Sequence, residues 1–277
     1  MLPITGTFLD EITYDIPSQN WGVEEWRREF DTMKHAGIDT VVIIRAGLRD
    51  MAAYPSEVLG IRDVPDLCRL FLDEAQRHGM KLFFGCYDTG NLGFEWTEWR
   101  ADWDINRRFI PEIQYRYGNH PAFHGWYIAP ETVKGTPGAQ EIYARYSDLM
   151  RELAPDRPIL ISPGWPSYIY REDSKQHRHR KFMDEWRAIL SRAPNIDLIA
   201  FQDGSCCYGN DADQTFELDD WLRETRQLCQ EFHCTLWHNI ETFTWKMPIK
   251  FPPQDWRYLK RRIEIASRYA EKLITFE

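Results

Sequence analysis

Eight short runs rich in β-branched and aromatic residues recur along the 277-residue chain, at intervals of 35, 42, 43, 34, 38, 38 and 38 residues. They are ITGTFL from Ile4, DTVVII from Asp39, KLFFGCY from Lys81, HGWYIA from His124, PILIS from Pro158, IDLIAF from Ile196, CTLWHNI from Cys234 and KLITF from Lys272. Their apolar character is nearly continuous rather than alternating, as in strands buried on both faces. Amphipathic segments separate them. Glu24–His35 puts Trp26, Phe30 and Met33 on one face, with Gly37 as a stop, and Val64–His78 does the same with Leu67, Leu70, Phe71 and Ala75 before Gly79. Further helices are predicted over Trp103–Tyr117, Gln140–Leu153, Arg180–Leu190, Leu218–Glu231 and Asp255–Ala270. Strand–helix alternation repeated eight times predicts an α/β fold, a single (β/α)8 TIM barrel over residues 1–277. A doubly wound sheet would carry a glycine-rich phosphate turn after its first strand, where this chain reads DEITYDIP. The pattern runs out at strand eight, so the predicted barrel lacks its last helix.

Composition narrows the partners. Asp and Glu outnumber Lys and Arg 43 to 34, and this acidic balance disfavours a nucleic-acid partner, which calls for basic patches. No apolar run approaches the ~20 residues of a membrane-spanning helix. The opening MLPITGTFLDEITYD has neither a basic stretch nor an apolar core of a signal peptide, which predicts a cytoplasmic protein as written, or an exported one if a leader was trimmed. The six cysteines form no CxxC pair; Cys68, Cys86, Cys229 and Cys234 fall in apolar segments as small core residues, and Cys206 and Cys207 are adjacent. Twelve Trp, thirteen Tyr and fifteen Phe make up 14% of the chain, enough to fill a large core and to furnish flat surfaces for stacking sugar rings.

Catalytic groups of such barrels project from the C-terminal ends of the strands. Those ends deliver Asp10 and Glu11 (strand one), Arg45 (two), Tyr87 and Asp88 (three), and Glu131 (four). Ser162 and Trp165 follow strand five, Gln202 and Asp203 strand six, His238, Asn239 and Glu241 strand seven, and Glu277 strand eight. Carboxylates converging on one mouth raise one another's pKa, a condition for acid–base work near neutral pH. Glu131 in GWYIAPET and Glu241 in LWHNIETF stand out by position. The bland readings are a loop or N-cap carboxylate for Glu131 and a salt bridge for Glu241. Arg45 suits bidentate orientation of a carboxylate or an internal ion pair. Asp10, Glu11, Tyr87, Asp88, Gln202, Asp203, His238 and Asn239 are candidate sugar ligands. Trp165 and Trp245 are candidate stacking platforms, whereas Trp126 reads as barrel filling. The HxH pair His177 and His179 in KQHRHRK reads as a solvated helix start, and WPSYIYRED before it as a wall of the mouth.

The strand-four and strand-seven pair resembles that of the large clan of retaining glycoside hydrolases built on this barrel. ITGTFLDEITYDIPSQNWG and GWYIAPE resemble domain of unknown function 4434, a family usually described as glycoside-hydrolase-like, over essentially the full length. The resemblance implies a cofactor-free hydrolase acting on a poly- or oligosaccharide, with Glu131 as acid/base and Glu241 as nucleophile. A proton for the leaving oxygen and a negative group facing the anomeric carbon are what an oxocarbenium-like transition state requires. The clan carries Asn before its strand-four Glu, where it contacts the sugar 2-hydroxyl; this chain carries Pro130, and Asn239 or Gln202 could take that contact over. Two other classes stay open. A metal-dependent sugar isomerase or epimerase would use Glu131, Asp203, His238 and Glu241 as ligands, with only one of His238 and Asn239 able to face the mouth. A non-catalytic carbohydrate-binding barrel would keep the sugar contacts without turnover.

Overall fold

The computed structural model describes residues 1–10, 12, 17–90, 97–132, 134–164, 175–204, 212–244 and 252–276. Its centre is a closed parallel barrel of β1 (Ile4–Leu9), β2 (Thr40–Ile43), β3 (Lys81–Gly85), β4 (Phe123–Tyr127), β5 (Ile159–Ile161), β6 (Leu198–Gln202), β7 (Thr235–Asn239) and β8 (Lys272–Phe276). Each strand pairs with the next in sequence, and β8 closes on β1. All eight fall on the runs read from the sequence. Their continuous apolar character has the expected cause, since β2 is buried along its whole length between barrel interior and helices. Inside, the ring of Phe83 on β3 meets Trp237 on β7 edge-on at 5.8 Å. Gly125 on β4 makes that possible, because a Cβ there would lie 2.5 Å from Phe83 Cε1.

Seven helices are found outside the barrel among the described residues: α1 (Val23–His35), α2 (Leu67–His78), α3 (Trp99–Tyr117), α4 (Pro137–Leu153), α5 (Lys175–Arg192), α6 (Ala212–Glu231) and α7 (Trp256–Ala266). The glycine stops hold, with Gly37 at φ +88° and Gly79 at φ +64°, backbone that other residues rarely adopt. Helix starts differ more. α4 begins three residues before its first periodic residue because Thr136 accepts a hydrogen bond from Ala139 N–H and Pro137 opens the first turn. α5 takes in the whole basic run from Lys175. Much of the aromatic excess goes into the core: Trp26, Trp126, Trp186 and Trp221 are fully buried, and Trp186 and Phe182 pack edge-on against Phe201 and Trp221 at 5.1 and 5.0 Å.

Two features of the frame bear on the mouth. An apolar cavity of about 360 Å³ between α1, β1 and β8, lined by Phe8, Trp21, Trp26, Met33, Ile38 and Thr275, occupies the flank where a (β/α)8 barrel carries its eighth helix. No eighth helix is present among the described residues. At the C-terminal rim, Gly47–Leu48 pairs parallel with Tyr87–Asp88 and antiparallel with Met51–Ala52. This small sheet prolongs β2 and β3 past the barrel and fixes the positions of Arg45 and Asp88.

Candidate active site

β4 ends on Tyr127, whose ring lies edge-on to Phe8 at 5.2 Å. Four residues on, Glu131 Oε1 accepts the Tyr127 hydroxyl hydrogen bond at 2.9 Å. Glu131 is open to solvent, yet protein surrounds it closely enough that lost hydration is the largest influence on its carboxyl. Burial pushes its pKa up and Asp88 adds to the rise, while Gln202, Arg45 and Tyr127 favour the carboxylate and limit it. Arg45 Nη1 lies 3.4 Å from Asp88 Oδ2, with both side chains largely buried. Burial alone would lower the Arg45 pKa, but the charges of Asp10, Asp88 and Glu131 outweigh it and raise it. Asp10, Arg45, Asp88 and Glu131 thus form one charged cluster drawn from the ends of β1 to β4.

The β3 side is anchored from behind. Asp102, fully buried near the start of α3, accepts hydrogen bonds from Thr89 N–H at 2.8 Å and from the Tyr146 hydroxyl at 2.6 Å. Asn106, one turn on, accepts from Tyr87 N–H and donates to Tyr87 O. Tyr87 turns its hydroxyl to Arg49 O at 2.9 Å, so the phenol ties rim loops together. Burial pushes the Asp102 carboxyl up to about 6 against the hydrogen bonds from Tyr146 and Thr89. A carboxyl raised from 3.8 to about 6 on folding stabilises the protein fully below pH 4, and that contribution is lost as pH rises through 6. The difference is worth about 3 kcal/mol. Denaturant titrations between pH 4 and 7 should therefore show wild type losing that much relative to Asp102→Asn. A difference that stays flat with pH would show that Asp102 titrates normally.

Across the mouth, β6 and β7 deliver residues to both faces. Gln202 Nε2 donates to Ser162 O at 2.7 Å, and Asn239 Nδ2 donates to Ser162 Oγ at 3.0 Å, which places both amides on the barrel interior. Asn239 Oδ1 is buried with no hydrogen-bond partner among the described residues. Asp203 and His238 turn the other way, toward α7. His238 Nε2 lies 3.7 Å from Asp203 Oδ2, which accepts from buried Arg262 Nη1 at 2.5 Å. Asn239, not His238, is therefore the strand-seven residue that faces the interior. Glu241 follows, 6% exposed, with its backbone N–H donating to Asp203 Oδ1 at 3.4 Å and its carbonyl accepting from Arg262 Nη2 at 2.6 Å.

Glu11, Trp165, Trp245 and Glu277 lie outside the described residues, as do Cys206 and Cys207 and the WPSYIYRED stretch. Among the described residues, no three His, Cys, Asp or Glu side chains are grouped as metal ligands. No helix described is long and apolar enough to cross a membrane. Sequence reasoning passed over three residues. Tyr127 sits in a strand that reads as core, Asp102 lies one residue before the helix predicted from Trp103, and Arg262 falls among Ile263, Ile265 and Ala266 on the buried side of α7. Alternation along β4 was the available signal for Tyr127; nothing in the pattern of α7 separates Arg262 from its neighbour Arg261.

Residues 4–277 match the model of DUF4434, a domain of unknown function. A solved structure from Bacteroides thetaiotaomicron, provisionally assigned as an alpha-L-fucosidase, is 35% identical, with all of this chain aligned to 85% of that one at a TM-score of 0.87. An endo-1,4-beta-D-mannanase from Thermotoga petrophila shares 11% identity over 99% of this chain and 88% of its own, at a TM-score of 0.64. A GH2 beta-galacturonidase from Eisenbergiella tayi shares 16% over all of this chain and 43% of its own, at 0.61. The last two are similar in fold alone. No curated protein matches the chain. The chain belongs to the DUF4434 family and has the fold of its glycoside hydrolase neighbours.

Proposed function

We propose that this member of the DUF4434 family is a retaining glycoside hydrolase with Glu131 as acid/base and Glu241 as nucleophile. The observation that carries the reading is the state of Glu131: open to solvent, bonded to a neutral phenol, and raised in pKa by its surroundings. Such a carboxyl holds its proton closer to neutral pH than a free one and can give it to a leaving oxygen. In the first step the Glu241 carboxylate attacks the anomeric carbon, the glycosidic C–O bond breaks, and Glu131 protonates the departing oxygen. In the second, Glu131 takes a proton from water, the water oxygen attacks the same carbon, and the ester to Glu241 breaks. Two inversions restore the starting configuration. Asn239, with its unpartnered buried oxygen, supports the view that the 2-hydroxyl contact has moved there from position 130.

The 35% identical relative makes α-L-fucosides the first substrates to try. Following hydrolysis of 4-nitrophenyl glycosides of L-fucose, D-galactose, D-glucose and D-mannose by proton NMR tests the reading. The expected result is turnover of at least one, with the substrate's own anomer appearing first. A first-formed product of opposite configuration would replace the double displacement with a single one. Absence of turnover across this panel and on natural glycans would favour a binding barrel.

A further inference from the structure

One ion pair grips the backbone of Glu241 on both sides. Arg262 reaches from α7 toward the end of β7, its side chain 6% exposed and that of its partner Asp203 2% exposed. Its guanidinium donates through Nη1 to Asp203 Oδ2, and through Nη2 to the Glu241 carbonyl at 2.6 Å and to Gln254 Oε1. Asp203 in turn accepts the Glu241 N–H. The peptide groups before and after the Glu241 Cα are therefore tied to the same rigid pair. Gln254 N–H donates to Thr242 O at 2.9 Å and ties down the next residue. With both flanking peptide planes held, the direction of the Cα–Cβ bond of Glu241 is set, and with it the position from which its carboxylate starts.

We infer that Arg262, acting through Asp203 and the Glu241 carbonyl, is a positioning residue for the nucleophile, which gives Asp203 a supporting part in place of a sugar contact. The inference rests on the reading of Glu241 as nucleophile. Its physical basis is the planar guanidinium fork, which holds several acceptors at fixed angles where a lysine ammonium holds one point. The reacting atoms must approach within a few tenths of an ångström of the productive geometry, and a shift of about 1 Å costs on the order of 10²-fold in rate.

The test uses the full chain with 2-deoxy-2-fluoroglycosyl fluorides of L-fucose, D-galactose, D-glucose and D-mannose. In the labelling reaction the Glu241 carboxylate bonds to the anomeric carbon as the C–F bond breaks and fluoride leaves, and mass spectrometry reads the adduct and its site. The maximal labelling rate and the half-saturating reagent concentration are measured for wild type and Arg262→Lys, with melting temperature alongside. Positioning predicts labelling slowed on the order of 10²-fold at unchanged half-saturation, in a variant still folded at the assay temperature. Labelling at the wild-type rate with only a lowered melting temperature would make Arg262 a purely structural group and overturn the inference. If Arg262→Lys does not fold, Gln254→Leu, which leaves the ion pair intact, takes its place. Slower labelling at unchanged half-saturation then supports positioning, and a wild-type rate overturns it. Wild type that labels on another residue, or with none of the four reagents, would remove the nucleophile reading itself and the inference with it.

Discussion

Glu241→Gln should lower kcat on aryl glycosides by on the order of 10⁵-fold while leaving the chain folded, because the amide keeps the shape of the carboxyl and loses the charge that attacks the anomeric carbon. Asp203 and Arg262 hold Glu241 by its backbone N–H and carbonyl, contacts that the substitution leaves in place. KM should change far less than kcat, since the lost interaction belongs to bond formation more than to sugar binding. The companion Glu241→Ala opens a space beside the anomeric carbon. Added azide should enter it and restore part of the turnover, with a glycosyl azide of inverted configuration as product. Steady-state kinetics and NMR of that product check both halves. A Glu241→Gln enzyme within tenfold of wild type would show that another group supplies the nucleophile.

The barrel could be read from the chain because each strand is buried on both faces, so that a run such as TVVI carries its own signal at any point of the sequence. Helix stops were as plain, since Gly37 and Gly79 adopt backbone that other residues resist. The rim was harder. Two-residue strands such as Gly47–Leu48 have no period to detect, and they exist only because β2 and β3 bring them side by side. Among site residues, alternation was enough to say that only one of His238 and Asn239 faces the mouth. It could not say which member faces inward, because that depends on where each strand enters the barrel. The supports lay further out of reach. Asp102 and Asn106 of α3 meet Tyr146 of α4 across 44 and 40 residues of sequence, and Arg262 meets Asp203 across 59. A lone polar residue on an apolar helix face gives no sign of its partner until the fold supplies one, and such partners are what aim Glu241 and hold the β3 loop.

Glu131→Gln tests the other half of the mechanism, and its effect should depend on the leaving group. For a natural glycan or a simple alkyl glycoside the departing oxygen needs a proton, and loss of the acid should cost roughly 10²–10⁴-fold in kcat/KM. A 2,4-dinitrophenyl glycoside leaves without that help, so its kcat/KM should barely change while kcat falls, because water now attacks the glycosyl-enzyme without a general base. The pH profile supplies the sign. Glu131 must be protonated in the first step, so kcat/KM of wild type should decline as pH rises through its raised pKa, and this basic limb should disappear in Glu131→Gln. Tyr127→Phe makes the assignment specific. The phenol favours the carboxylate form of Glu131, so its removal should move the limb to higher pH rather than lower. A limb that stays in place in Tyr127→Phe, or survives in Glu131→Gln, would assign the titration to a different group and separate Glu131 from proton donation. The charged cluster of Asp10, Arg45 and Asp88 then sets how far the proton is held: Asp88 raises the Glu131 pKa and Arg45 lowers it, and the two are joined to each other at 3.4 Å. A glycosidase acid needs such a balance, because it must be protonated when the sugar arrives and ionised when the water attacks.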